Sequence, residues 1–265
     1  MSEWPLYVFT LAIQAAVGGC ILMTIYNVLL KKVLAAEVLA GCCQKCLTAF
    51  STIAVIGMAL TFFNIGYPRN ALNAILNIQS SWLSREIAFT VIFIGLLLIT
   101  TALSWRTHRQ NQNLLIICSL WGLVTIFAMA ALYNFTIFTA WSNINTFVGF
   151  YCSALILGAI VVIVAFLPAL QAAPAAFAAV KMPTVVLVLA VFMLQFIFNT
   201  TFGSIAPGSS VLTLIRWTCS AVAAILLVYL YSFKDIKFCG AVYASLTVML
   251  FGELVGRYLF YLPIQ

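Results

Sequence analysis

Apolar residues run along this chain in blocks of about twenty, separated by short polar breaks. A block of that length crosses a bilayer as one helix. The pattern predicts eight spans, at roughly Leu6–Leu30, Leu47–Asn64, Ile87–Trp105, Leu114–Tyr133, Thr146–Leu167, Thr184–Thr201, Leu212–Tyr231 and Phe238–Leu262. Between spans five and six lies "ALQAAPAAFAAVKMP", an Ala/Pro-rich stretch expected to be a linker, because its two prolines oppose a ninth span. The short alternating segments of a membrane barrel are absent from the pattern. The expected fold is therefore all-α: a polytopic membrane protein with eight transmembrane helices and one integral membrane domain, residues 1–265.

Composition agrees with the pattern. The chain is 65 % hydrophobic and only 6 % charged, against about a quarter for soluble domains. So few charges could not cover a water-facing surface. The net charge of +7 reads as topology rather than as a nucleic-acid partner, because basic residues collect in cytoplasmic loops. Lys31, Lys32, Lys45, Arg106, Arg109, Lys181, Lys234 and Lys237 follow spans one, three, five and seven. Arg69, Arg85 and Arg216 fall on the other side, and Arg257 lies within span eight. The bias places both termini on the outer (periplasmic) side. Trp4, Tyr67, Trp82, Trp141 and Trp217 then mark an outer aromatic belt. "AVGGC", ending at Cys20, faintly resembles a lipoprotein cleavage site, but Lys31 and Lys32 follow the apolar run instead of preceding it, so the first span is expected to be kept.

Two stretches break this apolar economy. The first is "NIGYPRNALNAILNIQSSWLSREIAF", residues 64–89. Gly66 and Pro68 would end span two and turn the chain, Asn70–Asn77 could form a short interfacial helix, and Ser84 could cap span three with Glu86 in its first turn. A cap and a turn account for Pro68 and Ser84. They do not account for a carboxylate, two arginines and Asn64 at one membrane edge. The second stretch is "FGELVGRYLFY" in span eight. Glu253 and Arg257 are four apart on one helix face and can pair. Gly252 and Gly256 form a Gly-x-x-x-Gly that lets a neighbouring helix approach. Glu253 lies roughly 22 Å into a core of ~30 Å, in its outer third, where ionisable groups are functional or paired. A structural salt bridge is the alternative to function there. Both stretches face the outer side. A cavity between spans two, three and eight would bring Asn64, Arg69, Glu86, Glu253 and Arg257 together, with Arg216 at its rim. Such a set suits an amphipathic ligand with a polar head.

Cysteine and histidine limit the cofactors. "GCCQKC" holds one Cys-x-x-Cys in a predicted cytoplasmic loop, without the second pair a zinc or iron–sulfur site usually wants. No metal is expected. The single histidine, His108, lies in a predicted loop and cannot supply two axial ligands, so no haem is expected.

"EWPLYVFT", "NIGYPRNALNAILN" with "LSREIA", and "GELVGRYLFY" resemble the membrane anchor subunit of dimethyl sulfoxide reductase, a family of molybdopterin oxidoreductase anchors. The resemblance spans essentially the whole sequence. It implies an anchor in the bacterial inner membrane, multi-pass, with no haem. It implies a four-cluster iron–sulfur subunit and a molybdopterin catalytic subunit as partners, besides membrane lipid. It implies oxidation of menaquinol to menaquinone in anaerobic respiration, with Glu86 at the quinol site. The family pattern commonly carries His two residues before the glycine of the Gly-x-Pro turn, and here that position is Asn64. Asn can hydrogen-bond a quinol hydroxyl but cannot take its proton. Glu86 is then the expected proton acceptor, Asn64, Gly66, Pro68 and Arg69 the expected quinol-binding residues, and Arg216, Glu253 and Arg257 the expected cavity or relay. Two other readings stand beside this one. A secondary transporter would show Gly/Pro-broken helices near the midplane. A structural anchor without quinol chemistry would be indifferent to Glu86.

Overall fold

A computed structural model describes residues 4–61, 77–203, 209–233 and 239–262. These form eight α-helices: α1 Trp4–Leu30, α2 Ala36–Thr61, α3 Trp82–Thr107, α4 Gln112–Asn134, α5 Ile144–Ala172, α6 Pro174–Phe202, α7 Ser210–Phe233 and α8 Cys239–Tyr261. No strand occurs among the described residues. Seven of the helices, α1 to α7, are long and apolar enough to cross a membrane. α8 carries Glu253 and Arg257 in its second half and is not in that set.

Several expected boundaries move, each for a physical reason. α2 begins at Ala36, well before the expected Leu47, so Cys42, Cys43, Lys45 and Cys46 lie on a helix and not in a loop. The three cysteines are buried free thiols. Among the described residues no group of His, Cys, Asp or Glu is placed to hold a metal. The Ala/Pro-rich stretch is helical almost throughout. It ends α5 and starts α6, with Ala173 alone between them at φ −128°, ψ 95°. Pro174 forces this break, because a residue before proline avoids the helical region, while Pro174 itself suits the first turn of α6. α3 starts at Trp82. Its N-cap is Ser81, whose Oγ accepts from Ser84 N, and not the expected Ser84. Glu86 consequently sits in the second turn.

α1 is the centre of the bundle and packs on α2, α4, α5, α6 and α8. Its closest neighbour is α5. A Cβ on Gly18 would lie 1.8 Å from Ala154 O, and one on Gly158 would lie 2.1 Å from Gly19 N. The two backbones therefore touch where small residues permit it, the usual basis of helix association in lipid. α3 packs chiefly on α2 and α4, and α7 chiefly on α8.

Candidate functional site

Because successive helices run in opposite directions, one end of the bundle collects the starts of α1, α3, α5 and α7 and the finishes of α2, α4, α6 and α8. That end holds most of the buried polar groups. Glu86 enters it from the second turn of α3 and is only 3 % exposed. It finds no hydrogen-bond or ion-pair partner among the described residues, and it shares the buried face of α3 with Ser84, Thr90 and Phe93. Glu86 lies close enough to Tyr133 and Tyr261 to act on both electrostatically. Those two phenols, from the ends of α4 and α8, share a hydrogen bond of 2.6 Å. Tyr261 also packs its ring on Tyr7 at 4.5 Å.

Arg257 lies one turn before Tyr261 and is buried. Its Nη2 donates to Gln14 Oε1 from α1. Its guanidinium lies 4.3 Å from the Phe150 ring centroid and 5.5 Å from that of Phe260. A desolvated cation over aromatic faces gains on the order of 2 kcal/mol. Glu253 is equally buried and accepts from Ser153 Oγ at 2.6 Å. The direct pair that the Glu253–Arg257 spacing suggests does not form: each group turns to a neutral partner on another helix. Helical neighbours four apart stabilise exposed helices by only a few tenths of a kcal/mol. Bonds to fixed partners in a dry interior are stronger.

Gly252 and Gly256 face α7. A Cβ at 252 would meet Ser220 Oγ at 2.8 Å, and one at 256 would meet Arg216 Nε at 2.6 Å. The missing side chain at Gly256 thus leaves room for the Arg216 guanidinium, which also lies 4.7 Å from the Trp217 ring centroid. Arg216 and Arg257 both line a cavity of about 100 Å³ walled by α5, α6, α7 and α8. Gln195, Asn199, Asn145 and Ser153 add polar groups to the same wall. Glu86 does not line it. The expected cavity between spans two, three and eight also needs Asn64, Gly66, Pro68 and Arg69, and these lie outside the described residues. So do Tyr67 and most of the interfacial helix expected over Asn70–Asn77; Asn77 itself begins a turn.

The aromatic residues at this end divide. Trp4 is half-exposed, as an interfacial residue should be. Trp82 stacks on Phe135 at 5.4 Å and carries the Arg85 guanidinium 4.4 Å from its ring centroid. Trp141 departs from the expected belt. It is 3 % exposed, and its Nε1 donates to Phe260 O at 2.7 Å. Its indole holds down the end of α8 instead of meeting the headgroups.

The sequence reading missed Gln14, Tyr133, Ser153, Gln195 and Tyr261. Gln14 and Gln195 carried a readable signal, since each is a lone amide inside an apolar run. The tyrosines and Ser153 carried none, because their partners come from helices distant in sequence.

A family model described as DMSO reductase anchor subunit (DmsC) matches residues 1–262. The sequence is similar to the C subunit of the anaerobic dimethyl sulfoxide reductase of Haemophilus influenzae, 25 % identical over 273 residues that cover 98 % of this protein and 94 % of the relative. It is also similar to the subunit of that name from Escherichia coli, 29 % identical over 153 residues, 56 % of this protein and 52 % of the relative. No solved structure matches at a significant level. With a family match over nearly its full length and a bundle of long apolar helices, this chain belongs to the DMSO reductase anchor subunit family.

Proposed function

We propose that this protein anchors a DMSO reductase-like molybdoenzyme in the bacterial inner membrane, oxidises menaquinol there and passes the electrons to an iron–sulfur subunit. Family membership supports the anchoring role and implies catalytic and iron–sulfur partners. The quinol chemistry rests on one observation: Glu86, a carboxyl group 3 % exposed with no protein partner among the described residues. A buried ionisable group inside a membrane helix is costly and marks a functional site. One left without a partner has its hydrogen-bonding capacity free for a ligand.

Oxidation of one quinol yields one quinone, two electrons and two protons. The electrons leave toward the iron–sulfur subunit, and the protons need an acceptor within hydrogen-bond reach. Glu86 fills that role. Asn64, Gly66, Pro68 and Arg69 complete the quinol-binding set in this reading, with Asn64 and Arg69 orienting the quinol head. The Tyr133–Tyr261 pair, close to Glu86, positions the surrounding wall. All eight helices cross the membrane in this reading, α8 by packing its charged residues against α1, α5 and α7. The distribution of Lys and Arg supports termini on the outer side.

The test is Glu86→Gln in the assembled complex. Quinol-driven turnover should fall on the order of 100-fold, the scale of a lost general base. Turnover driven by a soluble reductant that feeds the catalytic subunit directly should be kept. An unchanged quinol-driven rate would leave a structural anchor without quinol chemistry.

A further inference from the structure

The cavity between α5, α6, α7 and α8 has contents that the quinol reading does not use. Its wall carries two guanidiniums, Arg216 and Arg257, and no carboxylate among the described lining residues. Glu253 lies behind it, near enough for Arg216 to feel its charge, but its carboxylate is engaged by Ser153. Arg257 is satisfied in part by Gln14 and two rings. Arg216 is different. Its donors make no hydrogen bond to an acceptor among the described residues, although Gly256 and Trp217 hold its planar group in place. Gln195 is more telling. It is 2 % exposed, lines the same cavity, and neither its Nε2 nor its Oε1 has a hydrogen-bond partner. A buried amide missing both partners forfeits about 1–3 kcal/mol for each unmet group. Such a group points to an occupant.

From this geometry we infer that the cavity binds a phosphate-bearing headgroup, at a site separate from Glu86. Guanidinium forks match phosphate oxygens and bind them in pairs. Gln195 Nε2 supplies a further donor. Gln195 Oε1 is an acceptor and needs a hydroxyl beside the phosphate, as the glycerol headgroup of phosphatidylglycerol provides. Asn199 and Gly203 at the finish of α6, and Ser209 just before α7, also line the cavity, which puts it at an end of the bundle, the level at which lipid headgroups lie along membrane helices. A bound headgroup would tie α7 and α8 to α5 and α6 at the end of the bundle that also holds Glu86. The inference does not depend on quinol chemistry.

The same oxygens could come from a lipid or from free phosphate, and one experiment separates them. The full-length protein, purified in detergent and stripped of lipid, is titrated with phosphatidylglycerol and, separately, with inorganic phosphate, with bound mass read by native mass spectrometry. The wild type should take up one phosphatidylglycerol. Arg216→Gln should weaken that binding at least about 10-fold, as the loss of charge-assisted bonds implies, and Arg216→Lys should recover part of it. Gln195→Leu, which removes no charge, should weaken it less but measurably, and serves where Arg216→Gln does not fold. Uptake of inorganic phosphate alone, also lost in Arg216→Gln, would keep the site and assign it to free phosphate. Failure of the wild type to bind either probe, or equal binding by wild type, Arg216→Gln and Gln195→Leu, would overturn the site.

Discussion

Glu253 illustrates how little the identity of a charged residue says about its partner. Its i, i+4 spacing to Arg257 is plain in the sequence, yet its carboxylate accepts from Ser153, one hundred positions away. Arg257 is met by Gln14, which is 243 positions away. Removing the serine hydroxyl leaves a buried carboxylate short of its donor. Ser153→Ala should therefore destabilise the protein by about 1–3 kcal/mol. Thermal unfolding in detergent should show a lower midpoint for Ser153→Ala and recovery in Ser153→Thr, which keeps the hydroxyl. A midpoint unchanged in the alanine variant would mean that water replaces the bond at no cost. Polar residues out of place in so apolar a chain were legible one by one: Glu253 and Arg257 stood out inside an apolar run, and Glu86 in a polar stretch at a membrane edge. Their pairing was not legible, because helix packing sets it and no local spacing encodes it.

Helices were legible as apolar blocks, and each expected block is helical among the described residues, seven of the eight helices being long and apolar enough to span, but their ends were not legible. Apolar length reports what can face lipid, whereas a helix continues as long as its backbone bonds are made. α2 therefore runs back through Gln44 and Lys45 to Ala36, and α6 runs back through Lys181 to Pro174. The break at Ala173 follows from Pro174 and was readable as a break, though not as a break of one residue. The Ser81 cap was misplaced by three positions because several serines precede α3 and only backbone geometry selects among them. At this scale α1 and α5 depend on contact at Gly18 and Gly158. Gly158→Ala would press a methyl group into the α1 backbone, and overpacking of this kind costs about 1–3 kcal/mol. Gly149→Ala, on the same helix with no atom within 4 Å of its Cβ position, should be tolerated. A denaturation midpoint lowered by Gly158→Ala and not by Gly149→Ala is the expected result. Equal midpoints would show that α1 can shift away.

For the whole molecule, the sequence placed the unusual polar residues at one end of the bundle, and helix direction in the structure agrees. Glu86 and Arg257 lie at that end, as do Tyr133 and Tyr261, which hydrogen-bond to each other across α4 and α8. One shared cavity is not what the described residues display. Arg216 and Arg257 line a cavity on the α5–α8 side, and Glu86, on α3, is not part of its wall. On the two proposals made above, Glu86 serves a quinol and the α5–α8 cavity a lipid headgroup. The central claim is that Glu86 meets the quinol head itself. Titration of the assembled complex with a fluorescent, non-oxidisable quinol analogue tests it most directly. The wild type should bind one equivalent, Glu86→Asp should bind more weakly, and Glu86→Gln should bind at least about 10-fold more weakly, the scale of one charge-assisted hydrogen bond. Binding of the analogue with the same affinity in all three would contradict the claim.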